Sequence, residues 1–165
     1  MKIVYATLYY LESDNKILML EKGIREDDPN SRLFTQPGGK IDEGETPLQA
    51  VCRESRQETG LDLIDAIQVG TVLFDNSERT FSDMPATKHF FVHVFKTTKY
   101  SGKLNQGTEE GKPVWIDKSK LENLVRHEGD ILLDNFVKSG RNFAGVIYHV
   151  GTKLNLKKSS VSYLD

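Results

Sequence analysis

The sequence predicts a single α+β domain over residues 1–165, an α/β/α sandwich in which helices cover both faces of a mixed central β-sheet. The chain has 165 residues, 38% of them hydrophobic, which is enough for a sizeable core and short for two domains. Strand-like apolar stretches are separated by amphipathic, helix-like segments. Residues 89–95 are largely apolar on both alternating faces, as expected for a central strand that is covered on two sides.

The predicted elements give the following order along the chain. Strands are predicted at residues 3–11, 16–21, 67–74, 89–97, 114–116 and 143–149. Helices are predicted at residues 47–59, 118–125 and 130–139. Residues 75–88 are long for a hairpin loop and are typical of a lid or a dimer contact, so a homodimer stays open. Alternation at residues 153–156 predicts a short edge strand.

The helix at residues 47–59 has clear start and stop signals. Thr46 is a good N-cap, and Pro47 suits the first helical position. Thr46 and Gln49 together fit a capping box, in which each side chain binds the backbone of the other. Gly60 favours the left-handed conformation that ends many helices. We therefore expect a helix that begins at about residue 47 and ends just before Gly60.

This helix carries an acidic face. Glu54 and Glu58 lie about 40° apart around the axis, while Leu48 and Val51 lie on the opposite stripe and are expected to anchor the helix to the core. Hard cations need several oxygen ligands held close together, which such a carboxylate pair supplies. A solvated acidic face is the alternative. The glycine-rich turn at residues 37–40 lets a backbone carbonyl approach an ion and favours the metal site.

Composition and charge exclude several other functions. A net charge of -2 gives no basic footprint for long nucleic acid. The one cysteine, Cys52, excludes an internal disulfide and favours a reducing compartment, so a cytoplasmic location is expected. The chain has no apolar run of about 18 residues, and Met1 and Lys2 lead directly into a strand pattern. Neither a membrane span nor a signal peptide is predicted.

Residues 39–61 resemble the signature of the Nudix hydrolases, G-x5-E-x7-R-E-U-x-E-E-x-G-U, in which U is a bulky aliphatic residue. The positions that match are Gly39, Glu45, Arg53, Glu54, Glu58, Gly60 and Leu61. Ser55 stands where the signature has an aliphatic residue, and Gln57 replaces the first acid of its Glu-Glu pair. The resemblance implies the Nudix fold, with its loop-helix-loop around the signature, and hydrolysis of a nucleotide anhydride.

The resemblance also implies a metal site made of oxygen ligands. Its ligands would be the Gly39 carbonyl, the carboxylates of Glu54 and Glu58, and the Gln57 amide oxygen, which brings one less negative charge than the usual acid. Mg²⁺ is the implied cofactor and Mn²⁺ the alternative. One of the two glutamates would deprotonate or orient the attacking water. Glu110, in the loop before a predicted strand, is a further catalytic candidate, and a solvated turn acid is its alternative.

Charged residues outside the metal site have other expected roles. The resemblance implies that Glu45 and Arg53 form a structural ion pair that fixes the loop against the helix. The loop at residues 23–33 is a candidate to reach substrate phosphates, because it carries Arg25 and Arg32 and follows Lys22. The expected partner of the protein is a small-molecule nucleotide substrate.

Three further segments narrow the resemblance. They are residues 93–95, 109–116 and 142–148, and they are similar to the enzymes that hydrolyse oxidised purine nucleoside triphosphates such as 8-oxo-dGTP. In those enzymes a short helix brings one or two acids to the base edge, and Asp130 is the candidate here. That subgroup often has two adjacent aspartates, whereas Gly129 precedes Asp130 in this chain. The resemblance implies these substrate-binding residues: Phe34, Thr35, Gly38, Lys40 and Asp130.

The expected reaction is Mg²⁺-dependent hydrolysis of a nucleoside triphosphate to a nucleoside monophosphate and pyrophosphate. Two alternatives stay within the same enzyme class, a dinucleoside polyphosphate and a nucleotide sugar as substrate. Members that favour ADP-ribose tend to carry a proline about sixteen residues past the signature, and those for diadenosine polyphosphates a tyrosine; residues 77–80 contain neither. A Nudix-fold binding module that has lost catalysis is the alternative from another class, and Gln57 is the feature that favours it.

Overall fold

The computed structural model describes residues 1–22, 33–81 and 83–164. The strands, numbered β1 to β13 in chain order, are Lys2–Ser13, Lys16–Glu21, Phe34–Thr35, Gly38–Lys40, Leu61–Ile64, Ile67–Phe81, Met84–Pro85, Lys88–Thr97, Lys99–Gly102, Lys112–Asp117, Phe143–Gly151, Lys153–Leu154 and Ser160–Tyr163. The helices are α1 (Pro47–Thr59), a 3-10 helix (Lys118–Asn123) and α2 (Glu128–Lys138). The predicted phosphate contacts of Arg25 and Arg32 lie outside the described residues.

The large sheet is mixed, as predicted. Its strand order is β10-β2-β1-β8-β6-β11-β12, and β3, β4, β7 and β13 pair at its margins. The β1–β8 and β6–β11 pairs are parallel, whereas β6–β8 and β1–β2 are antiparallel. Strand β8, which the sequence predicted as central, lies between β1 and β6. A separate two-stranded ladder joins β5 and β9.

The two helices cover opposite faces of this sheet. Tyr9 of β1 belongs to the apolar cluster that contains Val51 of α1, whereas the next residue, Tyr10, belongs to the cluster that contains Leu133 of α2. Successive strand residues point to opposite faces, so the two clusters form the two layers of the core. Val51 is buried, as expected, together with Ala50, whereas Leu48, the other expected anchor of α1, is 47% exposed.

Residues 75–88 differ most from the prediction. Among its described residues this segment is strand and not an open loop, because β6 continues to Phe81 and turns into β7. Strand β11 supports the continuation, with Asp75 opposite Tyr148 and Arg79 opposite Gly151. The helix expected at residues 118–125 is a shorter 3-10 helix. The sequence prediction omitted β5, β9 and β13, which are each four residues long.

Candidate active site

Helix α1 forms as the sequence predicts. The Thr46 side chain accepts a hydrogen bond from the Gln49 backbone, and the Gln49 side chain accepts one from the Thr46 backbone. Pro47 is the first helical residue. Gly60 ends the helix with φ of 82°, in the left-handed region, and its N–H binds the Arg56 carbonyl. Local hydrogen bonds therefore fix both ends of α1.

Arg53 ties the loop before α1 to the helix. Its Nε and Nη2 donate to the two carboxylate oxygens of Glu45, at 2.7 and 2.9 Å. Nη2 also donates to the Lys40 carbonyl at 3.0 Å. Nη1 donates to Glu54 at 2.8 Å and to the Gln57 amide oxygen at 3.2 Å. Hydrogen bonding to Arg53 lowers the pKa of Glu45, as it does for a carboxylate that is held ionised.

Gly39 brings the main chain against the Glu54 carboxylate. Strand β4 pairs with β1, where Gly39 lies opposite Thr7, and the Thr7 hydroxyl donates to the Gly39 carbonyl at 3.3 Å. A Cβ added at Gly39 would lie 2.4 Å from Cδ of Glu54. The Glu54 carboxylate therefore packs against the main chain at Gly39, in the space that a side chain at this position would occupy.

Glu58 is the more buried of the two acids, at 5% exposure. Its Oε1 accepts a hydrogen bond from the Gly38 N–H at 3.1 Å. Burial raises the pKa of Glu58 to about 8, and the nearby Glu54 carboxylate adds to the rise. A buried carboxylate without a close cationic partner is costly. A bound cation would offset this cost.

An acidic cavity of about 690 Å³ opens beside these residues. It is lined by Gly38, Gly39, Lys40, Asp42, Glu54, Gln57, Glu58, Thr108, Glu109 and Glu110. The cavity thus brings together Glu54, Glu58 and Glu110, as expected. The Gln57 oxygen, by contrast, already accepts a hydrogen bond from Arg53, and Lys22 holds the Glu110 loop by donating to its carbonyl at 2.8 Å.

The donor set fits a hard divalent cation that shares its ligands with substrate. Within the described residues no three acidic, histidine or cysteine side chains converge tightly enough to hold a metal alone. Mg²⁺ is usually held by one or two carboxylates together with water and substrate phosphate. Gly39, Glu54 and Glu58 all line the acidic cavity, and their carbonyl and carboxylate oxygens would supply such a set. The residues present fit a cation that binds together with a nucleotide.

A second, mostly apolar pocket of about 400 Å³ adjoins the acidic cavity. The two share Gly38, Gly39, Lys40, Glu58 and Glu110. The remaining lining is Ala6, Thr7, Leu8, Leu20, Lys22, Thr35, Gln36, Phe74, Asn76, Arg79, Phe81, Phe90, Val92, His127 and Asp130. The acidic cavity and the mostly apolar pocket therefore lie side by side.

Asp130 lies in the apolar pocket, at the beginning of α2. Burial raises the pKa of Asp130 to about 6, although Arg126 and Arg79 oppose the rise. Arg126 itself pairs with Asp134, so it is already engaged. Arg79 is 8% exposed and lies with its guanidinium over the Phe81 ring, 4.7 Å from the centroid.

Gly129 explains why a second acid does not precede Asp130. Its N–H donates to Nε2 of the buried His149 at 3.2 Å. A Cβ at Gly129 would lie 2.5 Å from Cε1 of His149 and 2.9 Å from Cγ2 of Ile147. Burial lowers the pKa of His149 to about 4, so its ring stays neutral and accepts this hydrogen bond. An aspartate at position 129 has no room.

The structure places Phe34 away from the two cavities that form the candidate site. Phe34 packs against the apolar cluster under α2, while Thr35, the next residue on β3, lines the apolar pocket. This alternation is the strand period, so we correct the expectation and do not retain Phe34 as a substrate contact. Sequence reasoning also missed Gln36 and Asn76. Gln36 directly follows Thr35, which the sequence analysis singled out, so its position along the chain could have indicated it. Asn76 lies in the segment that was predicted to be a loop.

Comparison with known proteins agrees with this geometry. The model of the NUDIX domain family matches residues 1–136, which is most of the chain. The protein belongs to the NUDIX domain family. It is therefore a Nudix pyrophosphohydrolase that acts on a nucleotide derivative with the help of a divalent metal ion, as the family generally does.

Relatives differ in the substrates that their names give. The chain is 29% identical over 133 residues to the uncharacterized Nudix hydrolase YvcI of Bacillus subtilis, covering 79% of this chain and 77% of the relative. It is 29% identical over 124 residues to an ADP-ribose pyrophosphatase of Methanocaldococcus jannaschii, covering 75% and 68%. It is also 29% identical over 108 residues to an oxidized purine nucleoside triphosphate hydrolase of Danio rerio, covering 66% and 64%.

A solved structure confirms the fold. The mutator MutT protein from Bacillus halodurans superposes with a TM-score of 0.76 and 24% identity, covering 96% of each chain. This likeness establishes the Nudix fold that the sequence predicted. No helix in the described ranges has the length and hydropathy that a membrane crossing requires.

Proposed function

We propose that this protein hydrolyses a nucleoside triphosphate to a nucleoside monophosphate and pyrophosphate, with Mg²⁺ as the metal. The proposed substrate is an oxidised purine nucleotide such as 8-oxo-dGTP. The observation that carries this proposal is that an acidic cavity and an apolar pocket adjoin and share Gly38, Gly39 and Glu58. A nucleotide that places its phosphates at Glu54 and Glu58 has its base in the apolar pocket beside Asp130.

The residues of the acidic cavity have separable tasks in this reaction. Glu54, Glu58 and the Gly39 carbonyl would hold the cation, and Arg53 fixes the direction of Glu54 by donating to its carboxylate. When bound, Mg²⁺ neutralises phosphoryl charge and lowers the cost of expelling the leaving group. Glu58 binds Gly38 through Oε1, which leaves Oε2 to orient the attacking water or to accept its proton. Glu110 is the second candidate for that proton.

The position of Asp130 favours a substrate whose purine base carries an additional N–H donor. Oxidation at C8 converts the N7 acceptor of guanine into an N–H donor, and a carboxylate accepts from such a group. Asp130 lines the pocket, and burial raises its pKa, so a hydrogen-bond donor from the ligand would stabilise its ionised form. The named relative from Danio rerio, an oxidized purine nucleoside triphosphate hydrolase, agrees with this choice.

ADP-ribose is the second candidate substrate. The relative from Methanocaldococcus jannaschii is named an ADP-ribose pyrophosphatase and is as similar in identity as the others. Residues 77–80 contain neither the proline that is typical of enzymes for ADP-ribose nor the tyrosine that is typical of enzymes for diadenosine polyphosphates. A catalytically weakened binding module is a third candidate, because the Gln57 oxygen accepts a hydrogen bond from Arg53 and adds no charge to the cation site.

A product assay across a nucleotide panel, with and without Mg²⁺, tests the proposal. We expect pyrophosphate and a monophosphate from 8-oxo-dGTP, at a higher kcat/KM than from dGTP, and only in the presence of the metal. Ribose 5-phosphate and AMP from ADP-ribose as the preferred reaction would support the second candidate. Turnover by the Gln57→Glu variant in the absence of wild-type turnover would support the third, because the substitution restores one negative charge.

A further inference from the structure

Two buried amide side chains line the apolar pocket without satisfying their hydrogen bonds. Gln36 is 4% exposed and Asn76 is 1% exposed, and both line the pocket. Gln36 Nε2, Gln36 Oε1 and Asn76 Oδ1 have no hydrogen-bond partner within the described part of the chain. Leaving such a group unsatisfied costs the full desolvation free energy of that group. Buried polar atoms in folded proteins are rarely left in this state.

The position and direction of Asn76 are fixed. Its Nδ2 donates to the Lys88 carbonyl at 2.9 Å, and its backbone N–H donates to Nδ1 of His89 at 3.0 Å. Exchanging the two amide atoms would set a carbonyl against the Lys88 carbonyl. Oδ1 is therefore an acceptor with a defined direction, and it can be satisfied only by a donor from outside the described chain.

Gln36 is held in place by its neighbours along the chain. The Pro37 carbonyl accepts from the Tyr9 N–H at 3.0 Å, and Gly38 pairs with Leu8 of β1. The backbone around Gln36 thus belongs to the rigid sheet. Leucine would fill the same space without leaving a polar atom unpaired, so packing alone does not account for an amide here.

We infer that Gln36 and Asn76 select the base of the nucleotide, and that they favour an edge with two N–H donors and one acceptor. This inference rests on the proposed function and deepens it. Gln36 supplies one donor and one acceptor, and Asn76 supplies one acceptor. The Watson–Crick edge of guanine, with N1–H, N2–H and O6, matches this set in number. Thymine and uracil have a single N–H and match it worst.

The test compares wild type with Gln36→Leu, and uses Gln36→Met if the branched side chain overpacks the pocket. The matched control is Gln68→Leu, since Gln68 is exposed at the beginning of β6. Wild type should prefer guanine over uracil nucleotides. Gln36→Leu should lower kcat/KM for the guanine nucleotide roughly 10- to 100-fold through KM, with a smaller loss for the uracil nucleotide. The control should keep the wild-type preference.

Stability separates base selection from a packing role. Removing an unsatisfied buried amide should leave the unfolding temperature of Gln36→Leu unchanged or higher. A lower unfolding temperature together with an unchanged guanine-to-uracil ratio would overturn the inference and make Gln36 a packing residue. An Asn76→Ser variant, which keeps a short hydroxyl, should also reduce the guanine-to-uracil ratio, and an unchanged ratio in that variant would contradict the role of Asn76.

A binding experiment distinguishes failure of this inference from failure of the proposed function. Guanosine and uridine monophosphates are added without metal, and protection against thermal unfolding is measured. Stronger protection by the guanosine nucleotide, lost in Gln36→Leu, supports base selection even if no triphosphate is hydrolysed. Equal protection by both nucleotides in wild type overturns the inference, even where Mg²⁺-dependent hydrolysis supports the proposed function.

Discussion

Glu58 is buried beside the acidic cavity, and Asp130 is half-buried in the apolar pocket. Burial is the main cause of the raised pKa in both, to about 8 and to about 6 respectively. Each group is costly to ionise in the free protein and is stabilised by a ligand of the right kind. We propose that a cation stabilises the ionised form of Glu58 and that an N–H donor of the nucleotide stabilises that of Asp130. At the scale of the residue, ionising these two carboxyl groups lowers the stability of the free protein, and a bound ligand would recover that free energy.

Asp130→Asn should make the protein more stable at high pH and not at low pH. The pKa of Asp130 is raised from 3.8 to about 6 by burial. A carboxyl with a raised native pKa contributes stability that is complete below the unfolded pKa and lost as pH rises through the native pKa. We expect the variant to gain roughly 1–3 kcal/mol at pH 8 and about a third of that at pH 4.5, which is just above the unfolded pKa, measured by urea unfolding at both values.

The matched control for this prediction is Glu43→Gln, because Glu43 is exposed in the loop before α1. The control should change the free energy of unfolding by less than about 0.5 kcal/mol at either pH. An equal gain for Asp130→Asn at pH 4.5 and pH 8 would contradict the assignment, because the effect would then not follow the ionisation of the carboxyl.

At the scale of the element, the sequence predicted α1 closely and the hairpin around β7 poorly. The bounds of α1 follow from local chemistry, since a capping box and a left-handed Gly60 act within one helical turn. The extension of β6 to Phe81 depends instead on pairing with β11, about 70 residues later in the chain. The residues near positions 75–81 give no information about a pairing strand so far away in the sequence. Asn76 and Arg79 were consequently placed in a loop.

Gly129→Ala should destabilise the protein although it introduces a better helix former. Gly129 lies in the first turn of α2, where alanine alone would be favourable by about 1 kcal/mol. The added Cβ, however, would lie 2.5 Å from Cε1 of His149. Relieving this overlap costs typically 1–3 kcal/mol. We expect a net loss in the free energy of unfolding, measured in urea.

Gly140→Ala provides the comparison. Gly140 has φ of 72°, and a Cβ there would meet no atom within 4 Å. Its expected cost, roughly 1–2 kcal/mol, comes from the left-handed backbone alone. An unchanged or raised unfolding free energy for Gly129→Ala, with the usual loss for Gly140→Ala, would show that His149 moves aside without cost.

At the scale of the whole molecule, one sheet brings two kinds of surface together. The acidic cavity comes mainly from a contiguous segment, residues 38–58, and was therefore predictable from spacing. The apolar pocket collects residues from β1, β6, β8 and the beginning of α2. Its polar members, Gln36 and Asn76, meet only through the fold. The acidic half of the candidate site, which we propose binds the cation, could thus be predicted from sequence. Most of the apolar half, which we propose binds the base, required the structure.

The central claim is that Glu58, with Glu54, binds a divalent cation that the reaction requires. The most direct test is Mg²⁺-dependent pyrophosphate release by wild type and by Glu58→Gln, with Glu43→Gln as the exposed control. The amide retains an acceptor for the Gly38 N–H, so the variant should unfold at the same or a higher temperature. We predict a loss of roughly 10²–10⁴-fold in turnover. Turnover of Glu58→Gln near that of wild type would contradict the claim.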